Sequence, residues 1–312
     1  MSPDACDRGD CTCQGESLCA CGSLVGIANL LQDRGQRDSP AGWCNGGLRR
    51  PLACYSAGDP VSVVLSVQGL SLGYPGVSLF RQLSLDVVSG TTLAVLGANG
   101  TGKTTFVKAL LGLLTPLAGR LQWPQGCPQQ IGYLAQTSEF DRRFPIRVRD
   151  LVAMGGWRGF GFWSGPGRAG RAGVGAALHE AGIQGLADHP IHTLSGGQLQ
   201  RALFARVMVQ NAPLILLDEP FNGVDQNTEA HLQSIIDGWR REGRTVIMVV
   251  HDLSTVLDHC DSALLLGAGG AIHGAVKDVV VPEHLIARGY LSESQAGWIF
   301  RQRLPVPVHG RG

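Results

Sequence analysis

The sequence predicts an α/β fold built on a mainly parallel sheet covered by helices on both faces. Three short apolar runs, Leu93–Gly97 ("LAVLG"), Leu214–Asp218 ("LILLD") and Thr245–Val250 ("TVIMVV"), have the length and unbroken hydrophobicity of strands buried on both sides. Helix-forming stretches lie between them, which is how successive parallel strands are joined. The 312 residues are 44% hydrophobic and 16% charged, enough for one or two packed domains with an ample core.

A net charge of +1 demands no nucleic-acid partner. No apolar run approaches the roughly 18 to 20 residues that span a bilayer, and Asp4, Asp7 and Asp10 stand where a secretory signal would be basic. A cytosolic protein that can dock on something in a membrane is expected. Seven of the nine cysteines lie at or before Cys54, leaving Cys127 and Cys260 in the body, so the fold is not a disulfide framework.

Residues 1–60 are rich in Gly, Cys, Asp, Arg and Pro, with one short apolar stretch at Leu24–Leu31, and read as a largely disordered leader. Two CxC pairs, Cys11/Cys13 and Cys19/Cys21, could offer four sulfur ligands to Zn²⁺, although the usual zinc-ribbon spacing is CxxC. Two other readings stand beside the metal site: a tail without function, and a leader that is not translated. No methionine occurs between Met1 and Met154, and a start at a valine codon such as Val61 or Val63 would remove the leader.

At Val61 the texture changes. Val61–Gly76 ("VSVVLSVQGLSLGYPG") is β-branched and alternating, and Leu79–Gly97 continues with strand and turn signals. The apolar strand Leu93–Gly97 runs directly into Gly97-Ala98-Asn99-Gly100-Thr101-Gly102-Lys103-Thr104, with an apolar helix behind it. This is the P-loop pattern. Its glycines let backbone N–H groups curl around a β-phosphate, the helix N-terminus adds positive potential, Lys103 reaches the β/γ oxygens and Thr104 can ligate Mg²⁺. Thr105 extends the nucleotide-binding set.

The middle, roughly 122–185, is polar and Gly-rich, and Arg158–Gly175 reads as a Gly-rich, mobile segment. A helix follows, and then "PLILLDEP" (Pro213–Pro220) ends a buried strand in adjacent carboxylates. That arrangement suits delivery of Asp218 toward Mg²⁺ and Glu219 toward an attacking water. The chain beyond about Val276 reads as a small helical appendix, and no internal repeat is present.

The stretch Leu194–Met208 ("LSGGQLQRALFARVM"), lying just before the carboxylate strand, closely resembles the signature motif of the ATP-binding cassette (ABC) ATPases. The family's other motifs follow the same order: Tyr74 in "LGYPG", Gln136 in "GYLAQ", Asp225 in "FNGVD" and His251 in "VVHDL". The resemblance covers nearly all of 61–290, leaving 291–312 as a tail. It implies a P-loop NTPase of the ABC type, with a RecA-like core, an antiparallel β subdomain and an α-helical signature subdomain. It further implies two cassettes stacked head to tail around ATP. Tyr74 would stack on adenine, Gln136 would contact Mg²⁺ and the attacking water, and His251 would hold the γ-phosphate and Glu219. Ser195, Gly196, Gly197 and Gln198 would bind ATP across the dimer, with Asp225 beside them. The loop Phe221–Asp225 departs from the family's usual Ser/Thr, Ala/Gly, Leu, Asp, which leaves Asn222 and Gly223 less certain than Asp225.

One P-loop, one signature and no coiled-coil insertion point to a stand-alone subunit that pairs with a separate integral membrane permease. The permease would be fed by an extracytoplasmic metal-binding protein, with the ATPase peripheral on the membrane's cytoplasmic face. In the family, Gln136–Trp157 contacts the permease, and "FPIRVRDLVAMG" and "PFNGVD" resemble the ATPases of zinc and manganese uptake systems. The alternatives are an iron, siderophore or haem importer, and a non-transport ATPase whose cysteines sense metal.

Overall fold

The computed structural model describes residues 62–303 apart from 75–76, 129, 137–140, 160–165 and 268–269. The leader with its CxC pairs, and the tail beyond 303, lie outside the described residues. Among those described, no helix is long and apolar enough to cross a membrane.

Two sheets carry the fold. Strands β1 (Val63–Tyr74), β2 (Val77–Val88) and β4 (Ala118–Gln122) form an antiparallel sheet in the order β2-β1-β4. The larger sheet runs β5-β6-β7-β3-β8-β9, from β3 (Thr92–Gly97), β5 (Ile131–Leu134), β6 (Leu214–Asp218), β7 (Thr245–Val249), β8 (Ser262–Gly267) and β9 (Gly270–Ala275). Its first five strands are parallel, and β9 pairs antiparallel at the edge. The expected mainly parallel sheet and antiparallel subdomain are both present.

The apolar runs are buried on both faces because alternate side chains serve two cores. Leu93 and Val95 of β3, Leu214 and Leu216 of β6, and Ile247 and Val249 of β7 meet the antiparallel sheet and Phe106, Val107 and Leu110 of helix α1 (Lys103–Leu110). Ala94, Leu96, Ile215, Leu217, Val246 and Met248 point the other way, into a core built with the remaining helices. Full burial of one such leucine contributes about 2 kcal/mol. The salt bridges, such as Arg147–Asp188 with both side chains more than half exposed, contribute far less.

The second core holds α2 (Val148–Ala153), α3 (Arg168–Glu180), α4 (Gly196–Gln210) and α5 (Gln226–Arg241). Phe204 of α4 stacks on Trp239 of α5 with ring centroids 5.8 Å apart and planes 10° from parallel. Helix α3 takes in residues 168–175 of the stretch expected to be mobile. Despite its glycines, Val174, Ala177 and Leu178 fall at helical spacing and bury together, so packing overrides propensity. Residues 160–165 of that stretch lie outside the described residues.

After β7 come α6 (Leu253–His259), then β8 and β9, then α7 (Val276–Val279), α8 (Pro282–Ala287) and α9 (Glu293–Arg303). The helical appendix is present, and its packing continues past residue 290: Leu291, Ile299 and Phe300 rest on the second core, and Ala296 is 2% exposed.

Candidate active site

The site lies where the parallel strands end. Gly97, the last residue of β3, begins a loop in which Gly97, Gly100 and Gly102 take φ of 155°, 84° and 99°. A Cβ on Gly97 would lie 2.5 Å from Thr101 Oγ1 and 2.6 Å from the Leu266 carbonyl, so only glycine fits there. The loop closes on itself through the Thr101 hydroxyl, which donates to Ala98 O at 2.9 Å. Helix α1 then starts at Gly102 with no side-chain cap and no acidic residue in its first turn, leaving its N-terminal N–H groups and dipole for an anion.

Lys103 is buried under this loop, and its Nζ donates to Gly97 O at 2.8 Å and Ala98 O at 3.1 Å. Burial lowers its pKa, and the Glu219 and Asp218 carboxylates oppose that fall. Thr104 is half-buried at the mouth, Thr105 is buried beneath it, and Asn99 is exposed.

Asp218 ends β6 at 1% exposure, and the chain turns at once. Glu219 takes φ 52°, a left-handed conformation uncommon for a side chain of its size, held by its N–H to Val249 O at 3.1 Å. Glu219 Oε1 lies 2.7 Å from His251 Nε2, and Oε2 accepts from Asn222 Nδ2 at 3.2 Å. The Glu219 side chain is 16% exposed and the His251 side chain 45%, so the carboxylate is sheltered while the imidazole borders solvent. Gln136 follows β5, half-buried. The structure thus gathers Lys103, Asp218, Glu219 and His251 at one edge. Asn222, left uncertain by the sequence, proves to be a partner of Glu219.

The signature residues are placed by a different set of contacts. Ser195 caps α4 in a capping box: its Oγ accepts from Gln198 N at 3.2 Å, and Gln198 Oε1 accepts from Ser195 N at 2.9 Å. Gly196 and Gly197 form the first turn, Gly197 facing Thr228 and the Asp225 carboxylate. Asp225 caps α5, its Oδ1 accepting from Thr228 N at 3.0 Å and Oδ2 from the Thr228 hydroxyl at 2.7 Å. Those bonds, the backbone one first, hold its carboxyl below the usual carboxylate range. Arg201 reaches the same hydroxyl at 3.2 Å, and Gln200 Nε2 donates to Pro220 O at 2.6 Å, tying α4 to the turn after Glu219. Tyr74 ends β1, and its side chain lies outside the described residues.

A nucleotide cradle with a sheltered carboxylate held by an imidazole, plus a separately capped LSGGQ helix, defines an ATP-hydrolysing cassette. The family model described as ABC transporter matches residues 80–222. The zinc transport system ATP-binding protein TroB of Treponema pallidum is 36% identical over 231 residues, covering 72% of this chain and 86% of that protein. The manganese transport system ATP-binding protein MntB of Listeria monocytogenes is 32% identical over 71% of this chain and 94% of its own length. A solved inward-facing structure of a putative metal-chelate type ABC transporter superposes with TM-score 0.67 at 31% identity, covering 74% of this chain and 90% of that one. The chain belongs to the ABC transporter family and carries its ATPase domain.

Proposed function

We propose that this chain hydrolyses ATP at the cytoplasmic face of a membrane and thereby powers uptake of zinc or manganese through a separate permease. The observation that carries the ATPase reading is the convergence of Lys103, Asp218, Glu219 and His251 at the ends of β3, β6 and β7. In this reading the loop N–H groups and Lys103 hold the β- and γ-phosphates, and Tyr74 carries the adenine. Glu219 takes a proton from the attacking water, while His251 fixes Glu219 through Nε2 and faces the γ-phosphate.

Thr104, Gln136 and Asp218 present hydroxyl, amide and carboxylate oxygens, a hard donor set that fits Mg²⁺. Mg²⁺ supplies charge neutralisation at the phosphates when it enters with the nucleotide. Among the described residues, no group of three or more His, Cys, Asp or Glu could hold a softer metal in its place.

Ser195 and Gln198 bond to each other and Gly197 faces Thr228 and Asp225, apart from the hydrogen bonds that close the P-loop. That division supports a head-to-tail homodimer in which one copy's signature completes the other's ATP site. Phe144, Met154 and Trp157, exposed at 53%, 43% and 61%, support permease docking along the 136–157 stretch. An extracytoplasmic metal-binding protein would act through the permease.

The names of the zinc and manganese relatives support the cargo. A second reading, uptake of chelated iron as a siderophore or haem, is favoured by the likeness to the metal-chelate type transporter. Cellular zinc, manganese and iron in metal-depleted medium, wild type against Glu219→Gln, test both. Zinc or manganese should fall selectively in the variant. A fall in iron alone would favour the second reading, and unchanged metals would remove metal uptake altogether.

A further inference from the structure

We propose that Tyr290 is a positioning residue for the hydrolytic pair, and that the C-terminal helices control turnover through it. This rests on the reading of Glu219 and His251 as that pair. The His251 ring is held at Nε2 by Glu219 and is otherwise 45% exposed. Its backbone lies between the end of β7 and Asp252, whose carboxylate caps α6 by accepting from Thr255 N at 2.8 Å. At this junction the Tyr290 hydroxyl donates to the His251 carbonyl in a short hydrogen bond. The imidazole and the carbonyl of His251 are thus each restrained by a partner, and Nε2 is only a few rotatable bonds from the carbonyl carbon.

The segment carrying Tyr290 is seated by the C-terminal cap of α8 and by a close backbone contact. Gly289 takes φ 69° to turn the chain after α8, and Tyr290 N donates to Leu285 O at 2.8 Å. The ring packs against the second core. At the end of β8, a Cβ on Gly267 would lie 2.2 Å from the Arg288 carbonyl, so the bare glycine backbone is what lets this turn approach. Gly267 directly follows Leu266, the partner of Gly97 at the start of the nucleotide loop. One turn of the C-terminal segment therefore rests on the strand beside that loop while its tyrosine clasps the catalytic histidine. Burial first, and then the nearby Asp252 carboxylate, push the phenol up to about 12, so it remains a donor at neutral pH.

The test is steady-state ATP hydrolysis by the full-length chain with Mg²⁺. Tyr290→Phe keeps the ring and removes only the hydroxyl. It should lower kcat about tenfold, with KM for ATP unchanged and Tm lower by no more than a few degrees, the worth of one hydrogen bond. Gly267→Ala, which displaces the Arg288–Tyr290 turn, should lower kcat in the same way. A Tyr290→Phe enzyme with wild-type kcat, or one losing Tm while the folded fraction turns over normally, overturns the proposal. Glu219→Gln, run in parallel, separates the failures. If it hydrolyses normally, the pair itself is wrong. If it is inactive while Tyr290→Phe is fully active, only Tyr290 is dismissed.

Discussion

Lys103 shows how a single side chain is readied for its substrate. Its ammonium is buried, is drawn by two carboxylates, and spends its hydrogen bonds on two carbonyls of the loop it serves. In the proposed reading an arriving phosphate would replace those carbonyls without requiring the side chain to be ordered first, so little entropy would be lost on binding. Lys103→Ala should weaken ATP binding by roughly ten- to a hundredfold, the range for a charge-assisted hydrogen bond. Titration with a fluorescent nucleotide measures it, and an unchanged Kd would sink the assignment. Lys103, Asp218 and Glu219 were legible in the sequence as candidates because the chemistry proposed for them fixes both residue type and spacing. Asn222 and Tyr290 were not. Asn222 departs from the family pattern in its loop, and Tyr290 meets His251 from 39 positions away, a distance no local pattern reports.

At the scale of elements, two helix caps organise the signature region. Ser195 and Asp225 each satisfy N-terminal N–H groups of their helices, and Thr228, capped by Asp225, also accepts from Arg201 of α4. The Asp225 cap has a pH signature. Its folded pKa is below the ordinary 3.8, so its stabilisation is complete above 3.8 and is lost as pH falls through the lower folded value. Asp225→Ala should lower Tm at neutral pH, with the gap from wild type closing under strong acid. A gap that stays constant across that window, followed by thermal melts, would show that the carboxylate charge is not what caps α5. The strands were legible because double-sided burial writes an apolar run. Helix α3 was not, because its glycines mask a helical period that only its partners in the second core make decisive.

For the whole molecule, the proposed head-to-tail pairing rests on two groups of residues that are held by separate sets of contacts. Glu219 is held by His251 and Lys103 by its own loop, while Ser195 and Gln198 cap α4 and Asp225 caps α5. Ser195→Arg should therefore block hydrolysis by obstructing the facing copy while leaving ATP binding to the monomer intact. Normal turnover by that variant would remove the paired arrangement, and loss of monomer binding would mean that the signature acts within its own chain. The RecA-like core and both subdomains were implied by the resemblance to the ABC ATPases, whereas the packing of α9 beyond residue 290 was not legible, since its exposed Trp298 and short apolar pattern give no sign of a docked face.

The strand order has a further consequence for how this protein is made. Strand β3, which carries the nucleotide loop, leaves the ribosome early, yet both of its neighbours arrive late: Thr92 pairs with Val246 and Leu93 with Ser262. Until those partners emerge, the loop has no flanking strands and its strand is an unpaired apolar edge. Such long-range pairing is slow to form and exposes the nascent chain to aggregation. The ATP site is thus among the last parts of the molecule to exist, and nascent chains halted before β8 would have no complete cradle to offer.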